Sequence, residues 1–550
     1  MKKINAVPVA LGRDYPITIH DLGSHGEGVG RYEGFTVFVA GALPGETVRA
    51  TILTLKKKYA VGDLREIITA SPDHVTPPEG YYPEVGIYPL VTWDYQAQLR
   101  WKRARVAHLL THIGGIDVTV EPVIGMADPF HYRNKIQVPV GLRDGRPAIG
   151  FYERQSHDIV DMTTCLLQDP ATNRLLAAVR KIRAELATEP YDERTGTGVL
   201  RHVVGRTGED GKVMAILVTA TRELPDKERW IERLREEVPE LVSLYQNIQK
   251  ERTNVILGKT MKHLWGHEAL AATIGDLRFA LSPGSFFQVN PVQTRVLYET
   301  ALQAARLTGQ ETVIDAYCGT GTISLFLARQ AKRVIGVEKF APAVKDARNN
   351  ARLNGLENAS FIAGDTAEIL PQLAAQGVTP DVIVMDPARA GCDEKVLATV
   401  ADWQPSRIVY VSCNPATLAR DAAYLATRGY AVTYVQPVDM FPHTTHIEVI
   451  TLLSKLDSKK YISVELPMDD MDLTSAESKA TYKQIQNYVL EKFGFKVSTL
   501  YIAQVKKKHG LEVREHYNIS KNEKQKIPQC TIEKEVAILD ALKHFKMVYY

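Results

Sequence analysis

Two short segments carry the residues best suited to chemistry: Asp386-Pro387-Ala388-Arg389 and, 26 residues further on, Ser412-Cys413-Asn414-Pro415. Each ends an apolar, β-branched run, residues 381–385 and 408–411, of the kind that makes a buried strand. A cysteine at a strand end beside an acidic, proline-bearing loop adds little to a core, but it holds a nucleophile over a bound substrate. A third segment, Asp315-Ala316-Tyr317-Cys318-Gly319-Thr320-Gly321-Thr322, follows a strand at 313–315 and leads into a helix at 323–329. Its glycines let the turn pass close beneath a ligand, and it is not the G-x-G-x-x-G dinucleotide fingerprint.

The strand at 333–337 ends in Glu338, 19 residues beyond Gly319, where a carboxylate can accept both hydroxyls of a ribose. Asp365, after the next strand, is placed to reach an adenine amino group. The three loops together favour S-adenosylmethionine over a nicotinamide, with Tyr317, Gly319, Glu338 and Asp365 as contacts. Residues 282–290 add Phe286, Gln288 and Asn290 just before a helix. Either they wall the cofactor and a bound base, or they form a hydrophobic staple and N-cap.

Strands and helices alternate from about residue 310 to 455, which implies a mostly parallel α/β sheet with its ligands at the carboxyl ends of the strands. The expected divisions are a small OB-like β-barrel over 1–75, a mixed α+β region over 76–280, a Rossmann-like methyltransferase domain over 281–455 and a lysine-rich extension over 456–550. In the barrel, strands at 17–20, 36–39, 47–54 and 59–69 flank a turn crowded with Gly23, Gly26, Gly28 and Gly30. Lys56, Lys57 and Lys58 sit on a strand connection, as phosphate contacts or as a solvated turn. A helix over 93–112 sets Leu99, Val106, Leu109 and Leu110 against a basic face of Arg100, Lys102, Arg103 and Arg105. Further elements are strands at 134–140, 148–152, 200–205 and 213–219 and helices at 170–186, 230–237, 480–493 and 532–545.

The chain of 550 residues has a net charge of +3, which permits a nucleic-acid partner without demanding one. The segment after Ser454 has a local excess of four positive charges, and the extension reads equally well as an RNA-contacting module or a solvated domain. Five scattered cysteines suit a reducing cytoplasm. Neither a signal peptide nor an apolar run long enough for a bilayer is expected, and no obligate protein partner can be inferred.

Residues 286–290, 315–321, 382–389, 411–415 and 446–448 (the last His446-Ile447-Glu448) make the chain similar to the bacterial RNA 5-methyluridine methyltransferases. The resemblance spans residues 8–455. It includes a barrel like that of the branch acting on 23S ribosomal RNA, which the transfer-RNA branch characteristically lacks, so it implies 23S ribosomal RNA as substrate. That branch usually holds an iron–sulfur cluster on four cysteines. Here Glu79, Val85 and Tyr88 occupy three of the places, and only Cys165 matches. One thiolate cannot hold such a cluster, so none is expected, nor any other metal.

Uracil C5 is too weak a nucleophile to take a methyl group unaided. In the implied chemistry the Cys413 thiolate adds at C6, C5 attacks the sulfonium methyl, and Glu448 removes the C5 proton. Asp386 either accepts a hydrogen bond from uracil or orients the cofactor; Arg389 holds a phosphate or a carboxylate. Cys318 lies beneath the methionine part and is a poor nucleophile toward a base. His443 and His446 are candidates for backbone contact or proton transfer, though polar loop residues would look the same. The alternatives are the same reaction on the T-loop uridine of transfer RNA, amino-methylation of another base, and a non-catalytic RNA-binding scaffold. The last two leave Cys413 without a purpose.

Overall fold

Apolar and polar residues alternate along the first strands, as a sheet with one buried face requires. The computed structural model describes residues 7–154, 156–456, 482–495, 497–508 and 531–544. Strands β1 (Asp14–Leu22), β2 (Gly28–Tyr32), β3 (Phe35–Ala40), β4 (Thr47–Leu55) and β5 (Tyr59–Thr69) close into a barrel in the order β1-β2-β3-β5-β4. Ile17, Ile19, Val37, Val39, Val48 and Ile52 fill it. Gly28 and Gly30 were expected in a turn but form β2. A Cβ on Gly30 would stand 2.3 Å from Ile17 Cγ2 and 2.6 Å from the Thr18 carbonyl, so only glycine lets β2 approach β1 this closely.

Helix α1 (Tyr95–Gly114) starts at Asp94, whose carboxylate accepts the Ala97 N–H at 2.9 Å. Val106 and Leu110 face a core, as expected. Lys102 does not belong to a solvated basic face: it is wholly buried, with Nζ 2.6 Å from Asp439 Oδ1. Hydrophobic periodicity cannot reveal a lysine whose partner lies far away in sequence.

The middle region is a six-stranded sheet, β11-β10-β9-β8-β6-β7, made of β6 (Lys135–Arg143), β7 (Arg146–Ile149), β8 (Leu200–Thr207), β9 (Val213–Thr219), β10 (Leu241–Ile248) and β11 (Thr260–Gly266). Helices α2 (Pro170–Glu185) and α3 (Lys227–Glu237) share a core with it through Leu175, Val179, Trp230 and Leu234. Strands β10 and β11 and the hairpin β12 (Leu270–Ile274) and β13 (Leu277–Leu281) fall where no elements were expected. Val85 and Tyr88, both fully buried, pack with Cys165 in one apolar cluster, while Glu79 is exposed.

Helix α4 (Pro291–Ala305) introduces a seven-stranded sheet ordered β16-β15-β14-β17-β18-β20-β19. Its elements are β14 (Thr312–Asp315), α5 (Thr322–Ala328), β15 (Arg333–Glu338), α6 (Ala341–Leu353), β16 (Ala359–Ala363), α7 (Thr366–Ala375), β17 (Val382–Met385), α8 (Glu394–Trp403), β18 (Arg407–Ser412), α9 (Pro415–Ala426), β19 (Tyr430–Val438) and β20 (Glu448–Lys455). The five strands from β16 to β18 are parallel, and β20 runs antiparallel to both neighbours. Val313, Val334, Val384 and Val409 face one core; Ile314, Ile335, Ile383 and Ile408 face the other. Burial on both faces explains why these strands read as unbroken apolar runs. The strand order reverses beside β14, which opens the crevice that α/β sheets use for ligands.

Chain contacts divide the molecule into two units, Met1–Asp457 and Ser458–Tyr550. In the second, α10 (Tyr482–Phe493), α11 (Thr499–Lys508) and α12 (Ile532–His544) share a core of Ile485, Val489, Ile502, Val505 and Ile538. Helix α11 was not expected, and Lys506 within it is buried. The lysines of 521–526 lie outside the described residues. Among the described residues no helix is long and apolar enough to cross a membrane.

Candidate active site

Beyond β14 the chain turns through Gly319 (φ 54°) and Gly321 (φ 84°) into α5. A Cβ on Gly321 would press on Ala347 and Phe361 at 3.1–3.2 Å, so both its backbone conformation and its surroundings call for glycine. The Glu338 carboxylate is pinned at the end of β15, accepting N–H bonds from Gly319 (3.2 Å) and Phe340 (2.7 Å). A cavity of about 360 Å³ opens here, lined by Phe286, Gln288, Tyr317, Gly319, Glu338 and Asp386 among others. Its volume falls within the range of nucleoside-sized sites.

Asp365 is not among the lining residues. Its carboxylate caps α7 through the Ala367 N–H and pairs with Lys339 Nζ at 2.8 Å, which holds it below the usual carboxylate range. Asn290 gives a clear correction to the expected ligand contacts. It is fully buried, its Oδ1 capping α4 through the Gln293 N–H and its Nδ2 donating to the Met440 carbonyl, so it has no surface for a base. The N-cap reading of residues 282–290 holds for Asn290, while Phe286, 70% exposed, stands at the cavity rim.

Asp315 was missed as a site residue. It lines the cavity fully buried, and Ser324 donates to its Oδ2 at 2.5 Å. Its Oδ1 has no partner among the described residues, and burial pushes its carboxyl up to about 6. A cationic ligand group would satisfy that oxygen, as the ammonium of a bound S-adenosylmethionine would. Its place at the head of the glycine turn was the available signal.

The chemistry-bearing residues meet on the next strands. Met385 pairs with Tyr410 and Ser412 with Val449, so Asp386, Cys413 and Glu448 emerge at one edge of three adjacent strands, β17, β18 and β20. Asn414 locks the two loops together. Its Oδ1 accepts the Ala416 N–H at the start of α9, and its Nδ2 donates to the Arg389 carbonyl at 2.9 Å. Asp421 adds a second clasp, accepting from the Cys392 N–H (2.8 Å) and the Tyr410 hydroxyl (2.7 Å).

Electrostatics confirm that these groups sense one another. Burial pushes the half-buried Cys413 thiol up to about 11, aided by the Glu448 and Asp386 carboxyls and opposed by Arg389. Burial raises both carboxyls; Asp386 raises Glu448 further, and Asp315 raises Asp386. Cys318 is a buried part of the cavity lining, and burial with Asp315 and Glu338 pushes its thiol well above the ordinary value. Cys392 is buried against Tyr410.

A second cleft, of about 540 Å³, runs from Ser24 and His25 of the barrel to Arg389 and His446 and collects Arg133 and Lys135 on the way. Burial, with Arg206 and Arg133 as neighbours, pushes Lys135 down to about 8. Partial desolvation at the cleft wall and then Arg389 push the imidazole of His446 down to about 4, although the residue as a whole is exposed. His443 is buried, stacked on Phe130 at 4.5 Å and held by Gln98, which removes it from any RNA contact. Lys56, Lys57 and Lys58 are exposed between β4 and β5. Arg133 and Lys135 went unnoticed because isolated cations at the start of β6 carry no pattern.

A family model described as tRNA (Uracil-5-)-methyltransferase matches residues 222–456, and a TRAM domain model matches 8–64. An uncharacterized RNA methyltransferase of Halalkalibacterium halodurans is 50% identical over 448 residues, covering 81% of this chain and 98% of the relative. The chain belongs to the RNA (uracil-5-)-methyltransferase family. A similar RNA methyltransferase of Listeria monocytogenes is 47% identical over 80% of this chain and 96% of its own. Among solved structures, the Pyrococcus abyssi tRNA (uracil-54, C5)-methyltransferase in complex with S-adenosyl-L-homocysteine superposes with a TM-score of 0.65. It shares 26% identity and covers 80% of this chain and 100% of that one.

Proposed function

We propose that this enzyme transfers a methyl group from S-adenosylmethionine to C5 of a uridine in RNA, with Cys413 as nucleophile and Glu448 as base. The observation that carries this is the meeting of one half-buried thiol with two carboxyls of raised pKa, between a nucleoside-sized cavity and a cationic cleft. Tyr317, Gly319, Glu338 and Asp315 line the cavity that would hold S-adenosylmethionine, which would supply an electrophilic methyl group and leave as S-adenosylhomocysteine once its S–CH3 bond breaks. The Cys413 sulfur bonds to C6, and the displaced π electrons make C5 the nucleophile that takes the methyl. Glu448 then accepts the C5 proton; the C–H electrons restore the C5–C6 double bond, and the C6–S bond breaks. The thiol gives up a proton before addition and the expelled thiolate takes one back, so each turnover releases the C5 proton alone, and two carboxyls stand beside the centre to carry these transfers. The target uridine leaves its stack to reach the edge of β18, a step that costs least in a loop. Arg389, Arg133 and Lys135 supply cations for its flanking phosphates.

For the substrate, the full-length superposition of the Pyrococcus enzyme supports the T-loop of transfer RNA. Its breadth also weakens the barrel as a reason to prefer ribosomal RNA. The 23S ribosomal RNA reading keeps one support, the cleft that begins at Ser24 and His25 of the barrel, where a larger RNA would lie. Either RNA would support a cytoplasmic location. The test incubates wild type, Cys413→Ala and Glu448→Gln with tritiated-methyl cofactor and transcripts of both RNAs. The expected result is labelled 5-methyluridine in transfer RNA, none with Cys413→Ala, and a covalent protein–RNA adduct with Glu448→Gln. Label confined to 23S RNA moves the assignment to the second reading; no label in either overturns the function.

A further inference from the structure

The segment between β19 and β20, residues 439–447, delivers Glu448 to the site. Connections usually run over the surface, yet every residue of this one except Phe441 and His446 is buried. Buried polar backbone needs partners, and side chains from distant segments provide them. Lys102 Nζ donates to Asp439 Oδ1 at 2.6 Å and to the Phe441 carbonyl at 3.3 Å. The Tyr95 hydroxyl donates to Asp439 Oδ2 at 2.9 Å. Tyr132 donates to the Pro442 carbonyl (3.1 Å), and Gln98 Oε1 accepts the His443 N–H (3.1 Å). Both members of the Lys102–Asp439 pair are completely buried. Such a pair adds little net stability over apolar residues of the same shape, because desolvation offsets the attraction. Its distinctive effect here is geometric, since it ties α1 to the residue where the chain leaves β19.

We propose that Lys102 is a positioning residue: its buried ion pair with Asp439 fixes the 439–447 segment and thereby aims the Glu448 carboxylate at the C5 proton. The inference rests on the reading of Glu448 as the base of uridine methylation. A base displaced by a fraction of an ångström leaves thiolate addition and methyl transfer intact and slows the elimination that follows. A defect confined to Lys102 therefore shows itself as stalled adduct, not as lost binding.

The experiment uses the full-length chain as wild type, Lys102→Met, the double variant Lys102→Met/Asp439→Leu, and Tyr95→Phe. Active sites are counted with RNA containing 5-fluorouridine. Fluorine replaces the proton that the base removes, so every competent site is trapped whatever the state of Glu448. The expected result for both Lys102 variants is a kcat per active site about 10- to 100-fold lower. KM for RNA stays level or falls with kcat as adduct accumulates, affinity for S-adenosylhomocysteine stays within about twofold of wild type, and adduct on ordinary uridine RNA survives denaturing gels. Tyr95→Phe shows the same pattern more weakly and keeps the proposal testable if the lysine variants do not fold. A wild-type kcat per active site in any folded Lys102 variant, or unchanged kcat in Tyr95→Phe when those variants do not fold, overturns the proposal. So does a fall in kcat without adduct. A wild-type enzyme that methylates no uridine and forms no fluorouridine adduct overturns the functional reading instead.

Discussion

The free enzyme should keep its nucleophile as a thiol, and the alkylation rate of Cys413 measures this directly. Burial and two neighbouring carboxyls raise the thiol from 9.0 to about 11. At pH 7.5 the thiolate fraction is then ~3 × 10⁻⁴, about 100-fold below that of an ordinary thiol. A more basic thiolate attacks faster, with a Brønsted coefficient of about 0.4–0.5, which returns roughly tenfold. The net expectation is iodoacetamide labelling of Cys413 ~10-fold slower than a free cysteine at pH 7.5, rising about tenfold per pH unit to beyond pH 10. The double variant Asp386→Asn/Glu448→Gln removes both neighbouring charges and keeps the shape. Its labelling curve should move down by about one pH unit, leaving the burial contribution in place. Peptide mass spectrometry isolates the signal: Cys165, Cys318 and Cys392 are buried, and Cys530 is read on a separate peptide. A wild-type inflection at or below pH 8, or a double variant that does not move, would refute the electrostatic reading of the site.

Two other perturbations probe the elements that bring RNA to the site. Gly30→Ala places a methyl group 2.3 Å from Ile17 Cγ2 and should cost the barrel about 1–3 kcal/mol, seen as a lower melting temperature; an unchanged melting temperature would mean that β2 is not held against β1 as described. Replacing Lys56, Lys57 and Lys58 with glutamine should flatten the slope of log affinity for RNA against log salt by about 2 if all three meet phosphates; an unchanged slope would leave them a solvated turn.

The parallel sheet was readable because burial on both faces imposes long apolar runs, and those runs end where ligands bind. Residues 313–315, 333–338, 382–385 and 407–412 became strands nearly as expected for that reason. The region 241–281 was not readable. β10 pairs with β11 and β12 with β13, but the residues of β10 and β11 mix charges and amides such as Lys262, His263, Gln246 and Asn247 with apolar ones, so neither period stands out. Gly28 and Gly30 misled in the opposite direction. Glycine usually marks a turn, but here it marks a strand whose neighbour comes too close for a side chain.

The site divides along a similar line. Cys413, Asp386 and Glu448 were legible as candidates because a thiol and two acids sit at the ends of recognisable strands. Asp315 and Lys102 were overlooked because what sets them apart is a partner, or its absence, and not their neighbours in sequence. Asp315 stands out only once its Oδ1 is seen buried without a donor. Lys102 looked like one more cation on a basic helix until Asp439, 337 residues away, was found against it. Both cases follow from the same physics: burying a charge is costly unless something specific compensates it, so a buried charge marks a constraint that composition and periodicity cannot express. In this fold the constraints surround one short strand edge. Asn414 and Asp421 hold the loops of Cys413 and Arg389 together, while Lys102, Tyr95 and Gln98 hold the approach to Glu448. The proposed nucleophile and the proposed base are therefore fixed by separate sets of contacts, and it should be possible to impair proton removal while leaving thiolate addition intact.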